Sequence, residues 1–406
     1  MKYTSVTFFY PSNILGGAEF LFLRMASVLI DKYNIDVNYV DYEEGFAKNY
    51  EQRNVKINFI EYKRYRNQTA LPENTLVVAP LSSLLDVSTY LKVNQAHVLF
   101  WSIHPAGLIE FFNELYRRIF LKFSVLDKLK VGRIIKILND HNAINFMDRP
   151  NFEYQERVFN LRNIHPTYLP IPLDEKKNTG NIIQYSTINL GWVGRLSEDK
   201  IYSLLNILQC CNIFLENNPK DQIQFHIIGA GSKYDLIKEL IISERLEIIH
   251  QTNLDGYKLQ NYLSANIHVL FAMGTSALEG ASLNIATLLV DFSYKAFRTN
   301  NFRWLYEAEG YSLGDPFDID RIYNNTFDFI IDQIKTSNIK FYASKCHQYF
   351  NNNHSLDIIA KRFLVAVDKT TMAHSELEKT ELKAYFWINK LRTLIHYIKF
   401  VCKKSY

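Results

Sequence analysis

"LGWVGRLSEDK" (Leu190–Lys200) decides how this chain is read. An apolar run ends at Val193, Gly194 turns the chain, and Arg195 and Lys200 follow at the mouth of a helical segment. A short apolar run closed by a turn residue reads as a buried strand. A strand that hands over directly to a helix is the repeating unit of a parallel α/β sheet. Helix N-termini carry unpaired N–H groups and partial positive charge. A guanidinium fork and an ammonium added there make a site for a diphosphate. Taken alone, an Arg-x4-Lys pair is more simply two solvated surface cations, so the rest of the chain has to decide.

Working outward, the same alternation recurs. Val6–Tyr10, Val37–Val40, Val55–Ile60, Leu76–Ala79 and Val98–Trp101 read as strands, and Gly16–Tyr33 has helical periodicity. The pattern pauses near residues 172–186, where two prolines, a charged run and Asn-Thr-Gly mark a linker. It restarts with strands at Ile188–Val193, Phe225–Ile228, Ile267–Phe271 and Thr287–Val290. Helices fit between them at Tyr202–Glu216, Lys233–Ile242 and Tyr257–Ser264, and everything after Arg321 reads as helix. The expectation is α/β: two Rossmann-like, doubly wound parallel-sheet domains (1–175 and 176–370) facing across a cleft, with a helical tail (371–406). In such folds ligands gather at the carboxyl ends of the strands.

With 406 residues, 48% hydrophobic and 22% charged, the chain has enough apolar material for two cores. The net charge of +4 carries no signal for nucleic acid. The four cysteines have no zinc spacing, and a reducing, cytoplasmic setting fits them best. The first residues read as a strand and not as a signal peptide. No run of about 18 apolar residues occurs, so no membrane-spanning helix is expected.

Two further turns follow strands in the second half. In "FHIIGAGSKYDLIKEL", Gly229 and Gly231 allow a ligand to approach the backbone, although Tyr234 stands where a dinucleotide fingerprint needs its third glycine. In "LFAMGTSALEGASL", Gly274, Thr275 and Ser276 offer amides and hydroxyls to a phosphate. Glu279, expected in the first turn of the next helix, would either complement the helix dipole or accept hydrogen bonds from two ribose hydroxyls. Three turns at one sheet edge would supply cations, bare backbone, phosphate donors and a diol acceptor.

With their separations, "GWVGRLSEDK", "FHIIGAG" and "MGTSALEG" resemble family-4 glycosyltransferases of the GT-B fold, and "YPSNILGGAEFLFLRMA" resembles that family's glycine-rich first loop. The resemblance implies a retaining transferase using a nucleotide-diphosphate sugar, a UDP-sugar above all. Arg195 and Lys200 would clamp the diphosphate, with Gly194, Gly229, Gly231, Gly274, Thr275 and Ser276 around the donor and Glu279 on its ribose. Gly16 and Gly17 would lie near the phosphate and acceptor, and Glu19 opens the helix behind them. His104, in "VLFWSIHPAG", would line the cleft near the sugar. The family's first glutamate would fall where this chain has Phe271. Sugar-nucleotide 2-epimerases share the fold, and a non-catalytic nucleotide-sugar-binding protein is the remaining alternative.

No pair of carboxylates supports a double displacement of the glycosidase kind. The expected chemistry needs no metal: Asp318 and Asp320 in "DPFDIDRI" read as a helix cap and not as a cation site. Asp140 and His141 are candidates for acceptor contacts only. The acceptor is expected to be a glycan, lipid-linked, of a bacterial surface polysaccharide. The stretch 114–136 holds Arg117, Arg118, Lys122, Lys128, Lys130, Arg133 and Lys136 among apolar residues, against Glu114 and Asp127. The tail adds Tyr385, Phe386 and Trp387 beside further cations. Both suit an anionic membrane surface, which would place the protein at the inner face of the cell membrane.

Overall fold

Strand side chains alternate between faces, and the first sheet shows what that does. Val6 and Phe8 of β1 (Ser5–Phe9) join one buried cluster, and Phe9 joins another. The same split separates Leu76 and Val78 from Val77 and Ala79 in β5 (Thr75–Pro80), and Leu99 and Trp101 from Val98 and Phe100 in β7 (His97–Ser102). The sheet is therefore apolar on both faces and needs helices on both. It is parallel throughout, in the order β3-β2-β1-β5-β7-β8, with β2 at Asp36–Asp41, β3 at Asn58–Glu61 and β8 at Ile144–Phe146. Two short strands, β4 (Thr69–Ala70) and β6 (Leu91–Lys92), pair separately. These descriptions come from a computed structural model, which covers residues 2–391 except 14–15, 51–55, 64–67, 119–120, 177–186, 253 and 255.

The chain divides into two units, residues 1–172 with 356–406, and residues 173–355. The first unit thus takes up the helix Leu356–Lys369, which the sequence reading left with the second. Ile359, Ala360, Phe363 and Val367 explain why: they are fully buried beside Phe8 and Phe22, and the Phe363 ring lies 6.1 Å from Phe8. Burying one such side chain contributes roughly 1.5–3 kcal/mol. The opposite face is closed by Gly107–Arg117, Val125–Asp140 and a helix over residues 383–391. Tyr385 sits in that core and not at an aqueous interface, while Trp387 is 57% exposed. The remaining tail, with Cys402, and most of the expected linker lie outside the described residues.

The second unit repeats the architecture. Its strands are β9 (Ile188–Val193), β10 (Ile223–Ile228), β11 (Leu246–Gln251), β12 (Val269–Ala272), β13 (Ala286–Leu289), β14 (Asn301–Trp304) and β15 (Asn325–Thr326), in the order β11-β10-β9-β12-β13-β14-β15. The last two pair antiparallel. The sequence reading had no strand at β11, whose half-exposed "LEIIHQ" lacks an apolar run. It also expected helix at Lys233–Ile242, where only Asp235–Lys238 is helical, and after Arg321, where helix begins at Phe327. Thr326 caps that helix through the Phe329 N–H, so Asp318 and Asp320 cap nothing. They form a turn in which the Asp320 N–H donates to Asp318.

His226 on β10 and His268 just before β12 are both buried. The Asn189 N–H donates to Nδ1 of His268, and Nδ1 of His226 lies 2.8 Å from the Tyr262 hydroxyl. Burial depresses both pKa values to about 4, with His226 adding to the effect on His268. Between about pH 6.5 and 4 the unfolded chain therefore binds protons that the folded chain does not, and stability falls as pH falls through that window. Full expression would remove up to about 3 kcal/mol per histidine by pH 4. Urea unfolding at pH 7 and pH 4.5 checks this, and His226→Gln is expected to flatten the slope.

Candidate functional site

In the second unit the strand connections run outward in opposite directions from the boundary between β9 and β12, the position where open α/β sheets form a crevice. Residues 194–200 leave β9 there, and residues 273–276 leave β12 beside them. The 194–200 loop is fastened to its neighbour: the Gly194 N–H donates to Ile228 O, Leu196 to Ala230 O, and Lys233 back to Leu196 O. The approach is so close that a Cβ on Gly229 would stand 2.1 Å from the Gly194 carbonyl oxygen, and Gly229 has φ +144°. Gly194, Gly229, Gly231, Arg195 and Lys200 are thus brought together. The Gly194 and Leu196 amides are thereby already bonded and are not donors for a ligand.

Arg195 is exposed and Lys200 half-buried, directly before the helix Ile201–Asn217. Burial lowers the Lys200 pKa, Asp199 opposes the shift, and Arg195 adds to it. Asp199 accepts from Ser197 Oγ, and neither cation forms an ion pair among the described residues. Two neighbouring positive charges, neither of them in an ion pair among the described residues, are a place for an anion.

The Gly274 N–H donates to Leu313 O and is likewise unavailable, which leaves the first-turn amides of Thr275 and Ser276, half-buried and without acceptors inside their own helix. Glu279 is in the second turn of the helix Thr275–Ser282, too far along to complement its N-terminus. Its carboxylate is instead paired with Lys176, and the two side chains are only 16% and 13% exposed. Phe271 is wholly buried in β12, its ring 5.3 Å from Phe302, so that position faces the core and cannot meet a sugar.

Gly16, Gly17 and His104 lie in the first unit, after β1 and β7 at the carboxyl edge of their sheet; His104 is exposed. Behind Gly16, buried Glu19 accepts from Ser12 Oγ at 2.6 Å. Asp41 organises this loop. It accepts the N–H groups of Ser12, Tyr42 and Lys48, and burial raises its pKa despite them. Asp140 and His141 precede β8, at the opposite edge from His104, and His141 bonds Thr371. That position places them away from the carboxyl edge of their sheet.

The basic stretch is two helices and not one. Arg117 and Arg118 both pair with Glu114, and Arg133 pairs with Glu381. What remains is Lys122, Lys128, Lys130 and Lys136, the first three close in sequence to exposed Leu121, Val125 and Leu126, at 52%, 71% and 70%. No helix among the described residues is long and apolar enough to cross a membrane.

Sequence reasoning missed Lys176, Asp41 and a buried network in which Arg303 bonds Asp291 and Asp315 at 2.9 Å each. An acid at or just past the end of a buried strand, as Asp41 and Asp291 are, was the available signal; nothing local marks Lys176. Among the described residues no three His, Cys, Asp or Glu side chains are grouped to hold a metal. The geometry makes the glycines separable. Gly229→Ala is expected to cost about 1–3 kcal/mol because both φ and space are wrong. Gly17→Ala, with nothing within 4 Å of a new Cβ, should stay within about 0.5 kcal/mol of the parent. Thermal unfolding of both variants checks the difference.

No family model matches the chain, and no curated protein matches it in sequence. Solved structures do match in fold. A glycosyltransferase from Rickettsia africae aligns with TM-score 0.54 and 12% identity, over 90% of this chain and 99% of that one. The apo lipopolysaccharide outer core galactosyltransferase WaaB gives 0.51 and 12%, over 90% and 100%. A trehalose-6-phosphate structure from E. coli bound with UDP-2-fluoro glucose gives 0.50 and 11%, over 91% and 100%. At these identities the likeness speaks for architecture: the chain has the GT-B fold of those glycosyltransferases.

Proposed function

We propose that the chain is a retaining glycosyltransferase that moves a sugar from a nucleotide-diphosphate donor, a UDP-sugar, to a glycan acceptor. The observation that carries the reading is Arg195 and Lys200, two cations outside any described ion pair at the switch point of the second sheet. In the reaction the bond from the anomeric carbon to the phosphate oxygen breaks, and the acceptor hydroxyl oxygen bonds that carbon on the same face. The hydroxyl proton passes to the departing phosphate oxygen. Arg195, Lys200 and the Thr275 and Ser276 amides offset the charge that grows there. Glu279 accepts from the ribose hydroxyls, a bond its charge strengthens. Gly16 and Gly17 serve the phosphate and acceptor, and His104 the sugar. The likeness to a structure bound with UDP-2-fluoro glucose supports the choice of donor.

Product analysis with a labelled UDP-sugar tests this: transferred sugar supports it, an epimerised donor supports the 2-epimerase, and no turnover supports a binding protein. Arg195→Ala or Lys200→Ala is expected to lower kcat/KM by the equivalent of about 2–4 kcal/mol. Stability should hold, since neither cation forms an ion pair among the described residues that folding would lose. Activity is expected to persist in excess EDTA and in Asp318→Ala/Asp320→Ala.

The acceptor side of the reading is a lipid-linked glycan of a bacterial surface polysaccharide, met by a peripheral protein at the cytoplasmic face of the membrane. Lys122, Lys128 and Lys130, close in sequence to three exposed apolar side chains, support it. Each cation near an anionic surface is worth about 1 kcal/mol and is screened by salt. Changing the three lysines to Glu is expected to release the protein from anionic liposomes in flotation at low salt while leaving UDP binding intact. Equal flotation of both forms would return the patch to a solvated helix face.

A further inference from the structure

The pairing of Glu279 with Lys176 gives the donor site a part that none of its motifs contains. Lys176 comes from the segment that enters the second unit, 103 residues before its partner in the chain. Both side chains are largely withdrawn from water. An unpaired carboxylate there would be costly in itself. It would also stand in the same crevice as Arg195 and Lys200, where a diphosphate ester brings one negative charge on each phosphate. The two cations match those charges only if Glu279 is neutralised by something else.

We propose that Lys176 is a positioning residue for the nucleotide diphosphate, an inference that rests on the reading of this crevice as a donor site. It cancels the charge of Glu279 toward the phosphates and holds the carboxylate in place. A carboxylate has about four lone-pair directions, and an ammonium occupies one or two of them. The rest stay open to a pair of hydroxyls, so the lysine and a ribose share the group and do not compete for it. Removing the lysine leaves a carboxylate that repels the ligand's phosphates through a low-dielectric crevice.

The test is calorimetric binding of UDP and of uridine, with ADP and GDP in parallel, and thermal unfolding of each variant. Lys176→Met is expected to weaken UDP about tenfold, and uridine by clearly less, because only UDP meets the uncovered charge. Lys176→Arg keeps the charge and should bind UDP within about threefold of the parent. Adding Glu279→Gln to Lys176→Met removes the repelling charge and should recover part of the lost UDP affinity. UDP binding that is unchanged or tighter in Lys176→Met overturns the proposal, as does an equal loss for UDP and uridine, which would make the pair a packing element only. The donor-site reading fails separately: there, the parent binds no nucleoside diphosphate, or Arg195→Ala binds UDP as the parent does.

Discussion

The second unit depends on where β9 lies. It is hydrogen-bonded on both sides to parallel strands, β10 and β12, whose connections leave in opposite directions. Helices cannot cover that boundary from both sides at the carboxyl edge, so a crevice remains. Everything of chemical interest in this unit follows from it: the loop after β9, the turn after β12 and the helix that carries Glu279 all open onto the same rim. Gly229 fixes the tightest point, since its backbone runs against Gly194 at a distance no side chain allows.

Charge is used in two ways around this rim. Arg303 is buried, bonded to Asp291 and Asp315, and Arg321 adds a second bond to Asp315. Breaking such a network by removing one partner costs about 3–5 kcal/mol because the other charge is left buried. Arg195 and Lys200 carry no such bonds among the described residues. They contribute little to folding, and the depressed pKa of Lys200 shows what holding them together costs in burial and repulsion. An anion offsets the repulsion between them, which is why the unsatisfied pair and not the satisfied network is read as the site.

The first unit illustrates how a sheet with two apolar faces recruits distant chain. One face is completed only by Leu356–Lys369, returning after the whole of the second unit, and the other by residues 372–388. A boundary drawn from local pattern places Leu356–Lys369 with the second unit, whereas its packing joins it to the first.

The sequence by itself determined the α/β alternation, the central strands and the glycine turns, because β9, β12 and β13 are short, mostly apolar runs. It also named Arg195, Lys200 and Glu279, because strand-to-helix turns are local objects whose position in a parallel sheet follows from topology. It could not see β11, half-exposed at an edge, or the core role of Tyr385, since burial there is decided by what packs against each residue. Nor could it tell that the Gly194 and Gly274 amides are spent on Ile228 and Leu313. Least visible was the partner of Glu279. Lys176 belongs to no motif, and only tertiary structure brings its ammonium to that carboxylate, because an ion pair between distant segments leaves no periodicity in the chain.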